Sequence, residues 1–328
     1  MKKSRVFLTN PIDTIGYEIL KGVEVITASD PSPATILREI GDADAIIVRA
    51  ILPPDIFDQG KRVRSCVRHG AGLDLIPVES ATAHGIPVAN VPGVNANAVA
   101  EYVVAQMLLG ARRLHRVDTL LRNDSWAVAR KIPDDATELG GKSLGIVGVG
   151  AIGKRVAEIC HHGFGMKALG YQRRLDALPA IVTGMPLDEL LRAADYVVLA
   201  CPLTPETRGL LGARRIGLLK NNAFIVNVSR GPVLDEMALT AALRERRIGG
   251  AALDVYNTQP LPRDSELLKL DNAILSTHLA GLSAESVRAM SRIACEETLR
   301  ILAGLKPENF CNPEVWEKSL ARRKLLGL

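Results

Sequence analysis

The chain has 328 residues, 47% of them hydrophobic and 23% charged, which is long enough for two globular domains of ordinary size. Its 41 basic and 36 acidic side chains are spread along the sequence and give a formal charge of +5. Nucleic-acid binding is not expected, because no basic stripe carries interleaved aromatic residues. A membrane span is not expected either, since no stretch approaches roughly 18 uninterrupted apolar residues. The mild positive charge suits small anionic ligands.

The sequence contains five scattered cysteines without C-x-x-C spacing, at positions 66, 160, 201, 295 and 311. This pattern is typical of reduced thiols in a cytoplasmic protein, and the N-terminus leads into a strand without a long apolar signal region. The adjacent pair His161 and His162 points in two directions on a helix and has no partner ligands. We therefore expect a cytoplasmic protein without a metal site.

Short apolar runs alternate with helical stretches in the first hundred residues, which predicts a parallel α/β sheet. The predicted strands are Val6–Leu8, Val23–Ile26, Ala45–Val48, Val63–Val67 and Pro87–Ala89. A long helical stretch then begins near Asn95, with Asn97 as a candidate cap. Its broad apolar face suits a helix between domains or between subunits, and a plain core helix fits the pattern equally well.

A glycine-rich turn directly follows the predicted strand Ser143–Val147 and precedes a helix. In a G-x-G-x-x-G turn, the first glycine allows the bend, the second admits a pyrophosphate, and the third lets the helix pack closely on the strand. Three glycines alone prove little, but the flanking strand and helix predict dinucleotide binding. The expected contacts are Gly148, Gly150, Ala151, Ile152 and Gly153.

The residues after the next predicted strand, Lys167–Tyr171, indicate which dinucleotide binds. An acidic residue there would accept from the ribose 2′-OH and repel a 2′-phosphate. This chain instead has Gln172, Arg173 and Arg174, and guanidinium groups match a phosphate dianion. The sequence thus favours NADP over NAD. The alternative interpretation is that both arginines are solvated loop residues, and that NAD binds without the contact that an acidic residue would make with its ribose.

Four further strands are predicted in the second half: Tyr196–Ala200, Phe224–Val228, Gly250–Leu253 and Ala273–Ser276. Each ends in a polar or unusual cluster, and ligands of open α/β sheets bind beyond the carboxyl ends of the strands. A last long helix, from about residue 284 to residue 304, is expected to return the chain to the first domain. We therefore predict a discontinuous substrate domain, residues 1–97 and 292–328, around a nucleotide domain, residues 98–291.

Seven segments carry a more specific pattern: residues 69–74, 97–108, 148–153, 202–209, 227–235, 252–255 and 277–281. Together they resemble the D-isomer-specific 2-hydroxyacid dehydrogenases, the group that contains phosphoglycerate dehydrogenase, glyoxylate/hydroxypyruvate reductase and formate dehydrogenase. The resemblance covers nearly the whole chain. It implies a Rossmann-type doubly wound parallel sheet inserted in a flavodoxin-like parallel α/β substrate domain, hydride transfer between a nicotinamide cofactor and a small anionic 2-oxo or D-2-hydroxy acid, and a homodimer.

The resemblance also implies catalytic roles for Arg230 and His278. Arg230 matches the arginine that clamps the substrate carboxylate and polarises the carbonyl. His278 matches the histidine that protonates the carbonyl oxygen during reduction and removes the hydroxyl proton in reverse. The loop of Gly70, Ala71 and Gly72 matches the segment whose N–H groups hold the carboxylate. Arg49 is a less secure candidate for the substrate tail.

Further cofactor contacts follow from the same resemblance. Asp254 matches the residue near the nicotinamide amide, and Cys201 and Thr207 match the wall of the cofactor site. The complete implied set after residue 174 is Cys201, Pro202, Thr207, Val228, Ser229, Asp254, His278 and Gly281.

The chain departs from the family at Gln259, where the family usually has Glu beside the catalytic histidine. A carboxylate next to an imidazole raises the imidazole pKa by about 1–3 pH units. Glutamine can accept the ring N–H and fix the tautomer, but it supplies no charge. We expect a lower pKa for His278 than is usual in the family. A neutral histidine favours hydroxy-acid oxidation, whereas NADP would suggest reduction, so the physiological direction stays open.

Two other functions fit parts of the pattern. The pair Gln259 and His278 is similar to that of formate dehydrogenases, in which no proton transfer accompanies hydride transfer, although residues 70–72 resemble the hydroxyacid enzymes. Some relatives are dinucleotide-sensing co-repressors, for which Gln259 would be a relic of catalysis. The presence of both Arg230 and His278 favours an enzyme.

Overall fold

The computed structural model describes residues 3–132 and 136–327. The chain divides into two compact units, the first formed by Met1–Asn95 with Leu282–Leu328 and the second by Ala96–Gly281. The changeovers thus fall after residues 95 and 281, where the sequence suggested 97 and 291. The later one coincides with a helix start, because the Ser283 side chain caps the helix that begins at Ala284.

The strands are β1 (Arg5–Leu8), β2 (Glu24–Thr27), β3 (Ala45–Val48), β4 (Cys66–Arg68), β5 (Val88–Ala89), β6 (Ser143–Val147), β7 (Lys167–Tyr171), β8 (Val182–Gly184), β9 (Tyr196–Leu199), β10 (Phe224–Asn227), β11 (Gly250–Leu253) and β12 (Ala273–Leu275). Short 3-10 turns lie at Leu20–Gly22, Leu175–Ala177, Gly231–Val233, Glu266–Lys269 and Pro313–Val315.

The helices are α1 (Thr14–Ile19), α2 (Pro33–Glu39), α3 (Ile56–Gln59), α4 (Val78–Ala83), α5 (Ala96–Arg112), α6 (Leu114–Asn123), α7 (Trp126–Ala129), α8 (Ala151–Phe164), α9 (Leu187–Ala193), α10 (Ala213–Ile216), α11 (Glu236–Arg244), α12 (Ala284–Leu302) and α13 (Trp316–Leu325). Within the described ranges, none of them is both long enough and apolar enough to cross a membrane.

The first unit is a five-stranded parallel sheet in the order β2-β1-β3-β4-β5. This is the flavodoxin-like order, as the sequence predicts. Both faces are covered, so successive residues Val6, Phe7 and Leu8 of β1 are all fully buried. The helix α12 covers one face, where Met290 and Ala294 belong to the same buried cluster as Val6 and Leu8.

The second unit is a seven-stranded parallel sheet in the order β12-β11-β10-β9-β6-β7-β8. From β6 the chain moves outward to β7 and β8, then returns to β9 on the other side of β6 and continues to β12. This is the doubly wound Rossmann arrangement with one additional strand, which confirms the predicted fold class. The reversal between β6 and β9 is where such sheets bind their ligands.

Two local predictions were wrong, and one strand was not predicted. Asn97 does not cap α5, because the helix already begins at Ala96; the Asn97 side chain instead donates to Glu101 and accepts from Arg155. The predicted strand Val63–Val67 begins only at Cys66, since the preceding residues form a turn. Strand β8 was not predicted, because it is a short strand that pairs only with β7.

Candidate active site

The glycine-rich turn after β6 has the geometry that a dinucleotide requires. Gly148 has a φ of +95°, and a Cβ there would lie 2.6 Å from the backbone nitrogen of Cys201. At Gly153 a Cβ would lie 2.3 Å from the Gly148 carbonyl oxygen, so only glycine lets α8 approach the strand this closely. A Cβ at Gly150 would meet no atom within 4 Å, which leaves the space that a pyrophosphate would occupy.

A cleft of about 730 Å³ opens beside this turn, within the range of ligand pockets, about 300–1,000 Å³. Eight of the residues predicted to bind the cofactor line it: Gly148, Gly150, Gln172, Arg173, Arg174, Cys201, Pro202 and Thr207. They come from the ends of β6, β7 and β9, the strands that meet at the reversal. Residues that the sequence reasoning missed also line the cleft, among them Val149, Thr204, Glu206 and Leu210.

The wall after β9 is built by a compact threonine turn. The Thr207 hydroxyl donates to the Pro202 carbonyl oxygen at 2.7 Å and accepts from the Thr204 N–H at 2.7 Å. The pKa of the Glu206 carboxyl is lowered, chiefly by a hydrogen bond from Thr204, with a contribution from the positive charge of Arg173. Thr204 and Glu206 belong to the segment 202–209 that the sequence had already singled out.

The other predicted cofactor residues do not line this cleft. Ala151, Ile152 and Gly153 form the first turn of α8 behind the glycine turn. Ser229 is buried and donates its hydroxyl to Asn227 at 2.8 Å, which shapes the loop after β10. Val228, Asp254 and Gly281 follow β10, β11 and β12.

The three predicted catalytic residues follow three neighbouring strands. Arg230 comes after β10, Gln259 after β11 and His278 after β12, and these strands lie side by side at one end of the sheet. The loop of Arg230 rests directly on the loop after β11, because a Cβ at Gly231 would lie 2.1 Å from the Tyr256 backbone. Arg230 also donates to the Ser229 carbonyl oxygen at 2.7 Å.

Gln259 and His278 form a direct hydrogen bond. The ring Nδ1 of His278 lies 3.1 Å from Oε1 of Gln259, and the Gln259 amide nitrogen lies 3.4 Å from the Tyr256 carbonyl oxygen. An amide oxygen only accepts, so Nδ1 carries a hydrogen and donates it. In a neutral ring this leaves Nε2 as the acceptor, which is the tautomer that acid/base work at Nε2 needs.

The first unit holds the predicted carboxylate loop, and a residue that the sequence reasoning missed shapes it. The Arg68 guanidinium donates to the carbonyl oxygens of Val48, His69 and Gly72 at 2.9, 2.6 and 3.1 Å. Gly70 has a φ of +143°, and a Cβ there would lie 3.3 Å from this guanidinium. The only signal in the sequence is the position of Arg68, two residues before Gly70.

All three carbonyl oxygens of the loop of residues 70–72 accept hydrogen bonds from other parts of the chain. Val91 donates to the Gly70 oxygen at 2.9 Å and Asn90 to the Ala71 oxygen at 2.7 Å. The Gly70 N–H already donates to Arg68 at 2.9 Å. Among the described residues, the N–H groups of Ala71 and Gly72 have no acceptor within the chain.

Arg49 and His69 lie near this loop. The Arg49 and Ala50 N–H groups both donate to the buried Thr9 hydroxyl, at 2.8 and 3.0 Å. Burial lowers the pKa of His69 to about 3, with Arg49 contributing, so its ring is neutral at physiological pH. Nε2 of His69 lies 2.8 Å from the Ser291 hydroxyl, which ties the loop to α12.

This fold and site define a class of protein. A Rossmann-type unit that has a glycine turn, a cleft at its strand reversal, and Arg230, Gln259 and His278 on the loops after three neighbouring strands is the architecture of nicotinamide-dependent oxidoreductases. The family profile described as "D-isomer specific 2-hydroxyacid dehydrogenase, NAD binding domain" matches residues 104–280. The chain belongs to the D-isomer-specific 2-hydroxyacid dehydrogenase family and is an NAD(P)-dependent oxidoreductase.

Two curated relatives show similarity along nearly the whole chain. A D-3-phosphoglycerate dehydrogenase of Methanocaldococcus jannaschii is 35% identical over 98% of this chain, which spans 62% of that relative's length. A glyoxylate reductase of Korarchaeum cryptofilum is 36% identical over 95% of this chain and 97% of its own.

A similar solved structure includes a cofactor. It is a glyoxylate/hydroxypyruvate reductase of Sinorhizobium meliloti, described as NADPH-dependent and crystallised with NADP and malonate. Its TM-score is 0.82 at 26% identity, with 94% of this chain and 97% of that chain covered.

The close packing at Gly153 generates a testable prediction. Gly153→Ala forces a methyl group against the Gly148 oxygen, so we expect a loss of about 1–3 kcal/mol in stability and weaker cofactor binding. Gly163→Ala is the matched control in the same helix, where a Cβ meets nothing within 4 Å. It should be neutral or stabilising by about 0.5–1 kcal/mol. Thermal unfolding and cofactor titration measure both; equal behaviour of the two variants would contradict this account.

Proposed function

We propose that the protein reduces small 2-oxo acids, of the glyoxylate and hydroxypyruvate class, to D-2-hydroxy acids with NADPH. The observation that carries the proposal is the hydrogen bond from His278 to Gln259, which orients a proton-carrying imidazole at the same edge of the sheet from which the Arg230 loop emerges. The relatives named as glyoxylate or hydroxypyruvate reductases support this substrate class.

His278 moves the proton in this reaction. Its Nδ1 hydrogen is held by Gln259, so Nε2 gives a proton to the carbonyl oxygen in reduction and takes one from the hydroxyl in oxidation. Arg230 binds the carboxylate and polarises the carbonyl, since a guanidinium supplies both a charge and a pair of donors. The nicotinamide cofactor, when bound, supplies the hydride.

The loop of the first unit binds the anionic end of the substrate. The Ala71 and Gly72 N–H groups can donate to a carboxylate, because the loop carbonyls are turned to Arg68, Asn90 and Val91. Arg49 adds positive charge near this loop and is assigned to the substrate tail. Gly70 contributes its backbone conformation more than its N–H group.

NADPH is proposed because Arg173 and Arg174 line the cleft where an acidic residue would otherwise meet the ribose. The Gln172 side chain donates to the Arg174 carbonyl oxygen at 2.8 Å and so orders this loop without adding negative charge. A 2′-phosphate would find two guanidinium groups directly after β7, and none of residues 172–174 carries a carboxylate.

We further propose that the enzyme is a homodimer in the cytoplasm. Helix α6 has no buried residue, while Leu114, Leu121 and Trp126 are 48%, 46% and 72% exposed. A ten-residue helix without a buried residue gains little stability from its own packing, so we assign a second copy as the cover for this apolar surface. All five cysteines are free thiols, which suits a reducing compartment.

A substrate panel tests the main proposal. Purified protein is assayed by cofactor absorbance with glyoxylate, hydroxypyruvate, phosphohydroxypyruvate and bulkier 2-oxo acids, each with NADH and NADPH, and with formate and both oxidised cofactors. We expect turnover of the small oxo acids, and loss of turnover with retained cofactor binding in His278→Ala. Turnover of formate alone would indicate the formate reaction. Tight cofactor binding without any turnover would indicate a sensor.

The cofactor choice generates a second prediction. Arg173→Ala removes one guanidinium from the cleft, so KM for NADPH should rise about tenfold or more while KM for NADH changes little. Arg192→Ala, on α9 outside the cleft, is the matched control and should change neither. An unchanged ratio of NADPH to NADH efficiency in Arg173→Ala would rule out this role.

Gln259 generates a prediction about pH. In Gln259→Glu a carboxylate stabilises the His278 imidazolium and raises its pKa by about 1–3 pH units. Reduction needs the protonated ring, so its activity should persist to correspondingly higher pH, and the onset of hydroxy-acid oxidation should move up as well. Gln59→Glu, an exposed site in the first unit, controls for the added charge. Superimposable pH profiles of kcat for Gln259→Glu and the unaltered enzyme would refute this.

The proposed dimer generates a fourth prediction. Trp126→Asp places a charge in the exposed apolar surface, so the molar mass from light scattering should fall from two chains to one. Met237→Asp is the control, because Met237 is 85% exposed on α11 of the same unit. If the unaltered protein has the mass of one chain, the dimer is wrong; if both variants stay dimeric, the interface lies elsewhere.

A further inference from the structure

Tyr102, on α5, forms a short hydrogen bond with a residue next to the catalytic histidine. Its hydroxyl oxygen lies 2.5 Å from the Ser276 hydroxyl oxygen, just after β12. Burial raises the pKa of Tyr102 to about 12, so the phenol keeps its proton at physiological pH. Neither residue was predicted to have a role.

The direction of this hydrogen bond follows from the next one. The Ser276 hydroxyl donates its single hydrogen to Oδ1 of Asp254 at 2.6 Å. Tyr102 must therefore donate to Ser276. The result is a directed chain, from Tyr102 through Ser276 to a carboxylate that is 1% exposed.

The Asp254 carboxylate accepts hydrogen bonds from the turn that carries His278. Oδ1 accepts the Leu279 N–H at 2.9 Å, and Oδ2 accepts the Ala280 N–H at 2.9 Å. The main-chain oxygen of Asp254 accepts the His278 N–H at 2.9 Å. One buried residue thus binds three consecutive backbone donors.

The turn needs such support because of its backbone conformation. His278 has a φ of +59°, in the left-handed region that a residue with a Cβ rarely adopts. The conformation persists only where the surroundings fix it. The three hydrogen bonds to Asp254 contribute to fixing it here.

We propose that Tyr102 and Ser276 are positioning residues for His278: the donor chain orients the Asp254 carboxylate, and the carboxylate holds the left-handed turn that presents the imidazole. The proposal rests on the proposed function, in which His278 carries the proton. It assigns to Asp254 a structural role, support of the turn at His278, in addition to the expected contact with the cofactor. Tyr102 and Ser276 act through Asp254 and touch neither substrate nor cofactor.

The test compares Ser276→Ala and Tyr102→Phe, which each remove one hydroxyl, with Ser276→Thr, which retains a hydroxyl at position 276. We expect kcat for oxo-acid reduction to fall about tenfold in Ser276→Ala and less in Tyr102→Phe, as expected for one lost charge-assisted hydrogen bond and for a more distant one. KM for the oxo acid should change less than about twofold, because Arg230 and the loop of residues 70–72, which are proposed to bind it, stay in place. Ser276→Thr should recover most of the rate.

Tyr196→Phe is the matched control. It removes a buried phenol hydroxyl of the same unit that is hydrogen-bonded to Thr137 and takes no part in the hydrogen bonds from Tyr102 to Asp254. Amide hydrogen exchange of residues 277–281 gives a second readout that does not need turnover. Exchange should accelerate in Ser276→Ala and Tyr102→Phe and stay unchanged in Tyr196→Phe.

The outcomes separate the two proposals. Unchanged kcat and unchanged exchange in Ser276→Ala would overturn the positioning role. So would an equal fractional loss of rate when Ser276→Ala is introduced into His278→Ala, because a residue that acts through His278 has no effect once His278 is gone. If the unaltered enzyme reduces no oxo acid, the proposed function fails. Amide hydrogen exchange of residues 277–281 then decides alone whether the hydrogen bonds from Tyr102 through Ser276 to Asp254 hold the turn.

Discussion

The parallel pairing of β6 with both β7 and β9 is the constraint on which the second unit depends. Because every strand of this sheet runs in the same direction, all loops that follow strands emerge at one edge. The chain leaves β6 on one side and returns on the other, so two adjacent loops diverge there and open a cleft. The glycine turn, the arginines after β7 and the threonine turn after β9 come together for this reason alone, although they are far apart in the sequence.

Sequence reasoning could reach this arrangement because its signals are local. The runs Ser143–Val147 and Lys167–Tyr171 became strands with the expected bounds, and eight cofactor-binding predictions lie on one cleft. The alternation of strands and helices predicted parallel sheets, and the family resemblance implied their Rossmann-type and flavodoxin-like arrangement. The predicted capping role of Asn97 was wrong because α5 already begins at Ala96; the Asn97 side chain accepts from Arg155 of α8, a tertiary contact that the local pattern does not show.

The positioning residues escaped prediction for a related physical reason. Tyr102 and Ser276 are 174 positions apart, and although Tyr102 lies in the segment 97–108, no local pattern connects it with Ser276. Arg68 reads as an ordinary charged residue at the end of a strand, and only the three-dimensional path of its loop shows that it binds three carbonyl oxygens. Chemistry-bearing side chains can be found from sequence; the groups that hold them depend on which backbone atoms the fold leaves in need of partners.

The discontinuity of the first unit has a consequence for synthesis on the ribosome. Its sheet has α12 on one face, and Val6, Leu8 and Ile47 share a buried cluster with Met290 and Ala294 of that helix. Until the intervening unit has been made, that apolar surface lacks its cover. At about 5–20 residues per second this interval lasts roughly 10–40 s. Through most of translation, the first unit of the nascent chain is therefore incomplete, and its uncovered apolar sheet is prone to aggregate. A chaperone that covers this sheet should increase the yield of folded enzyme.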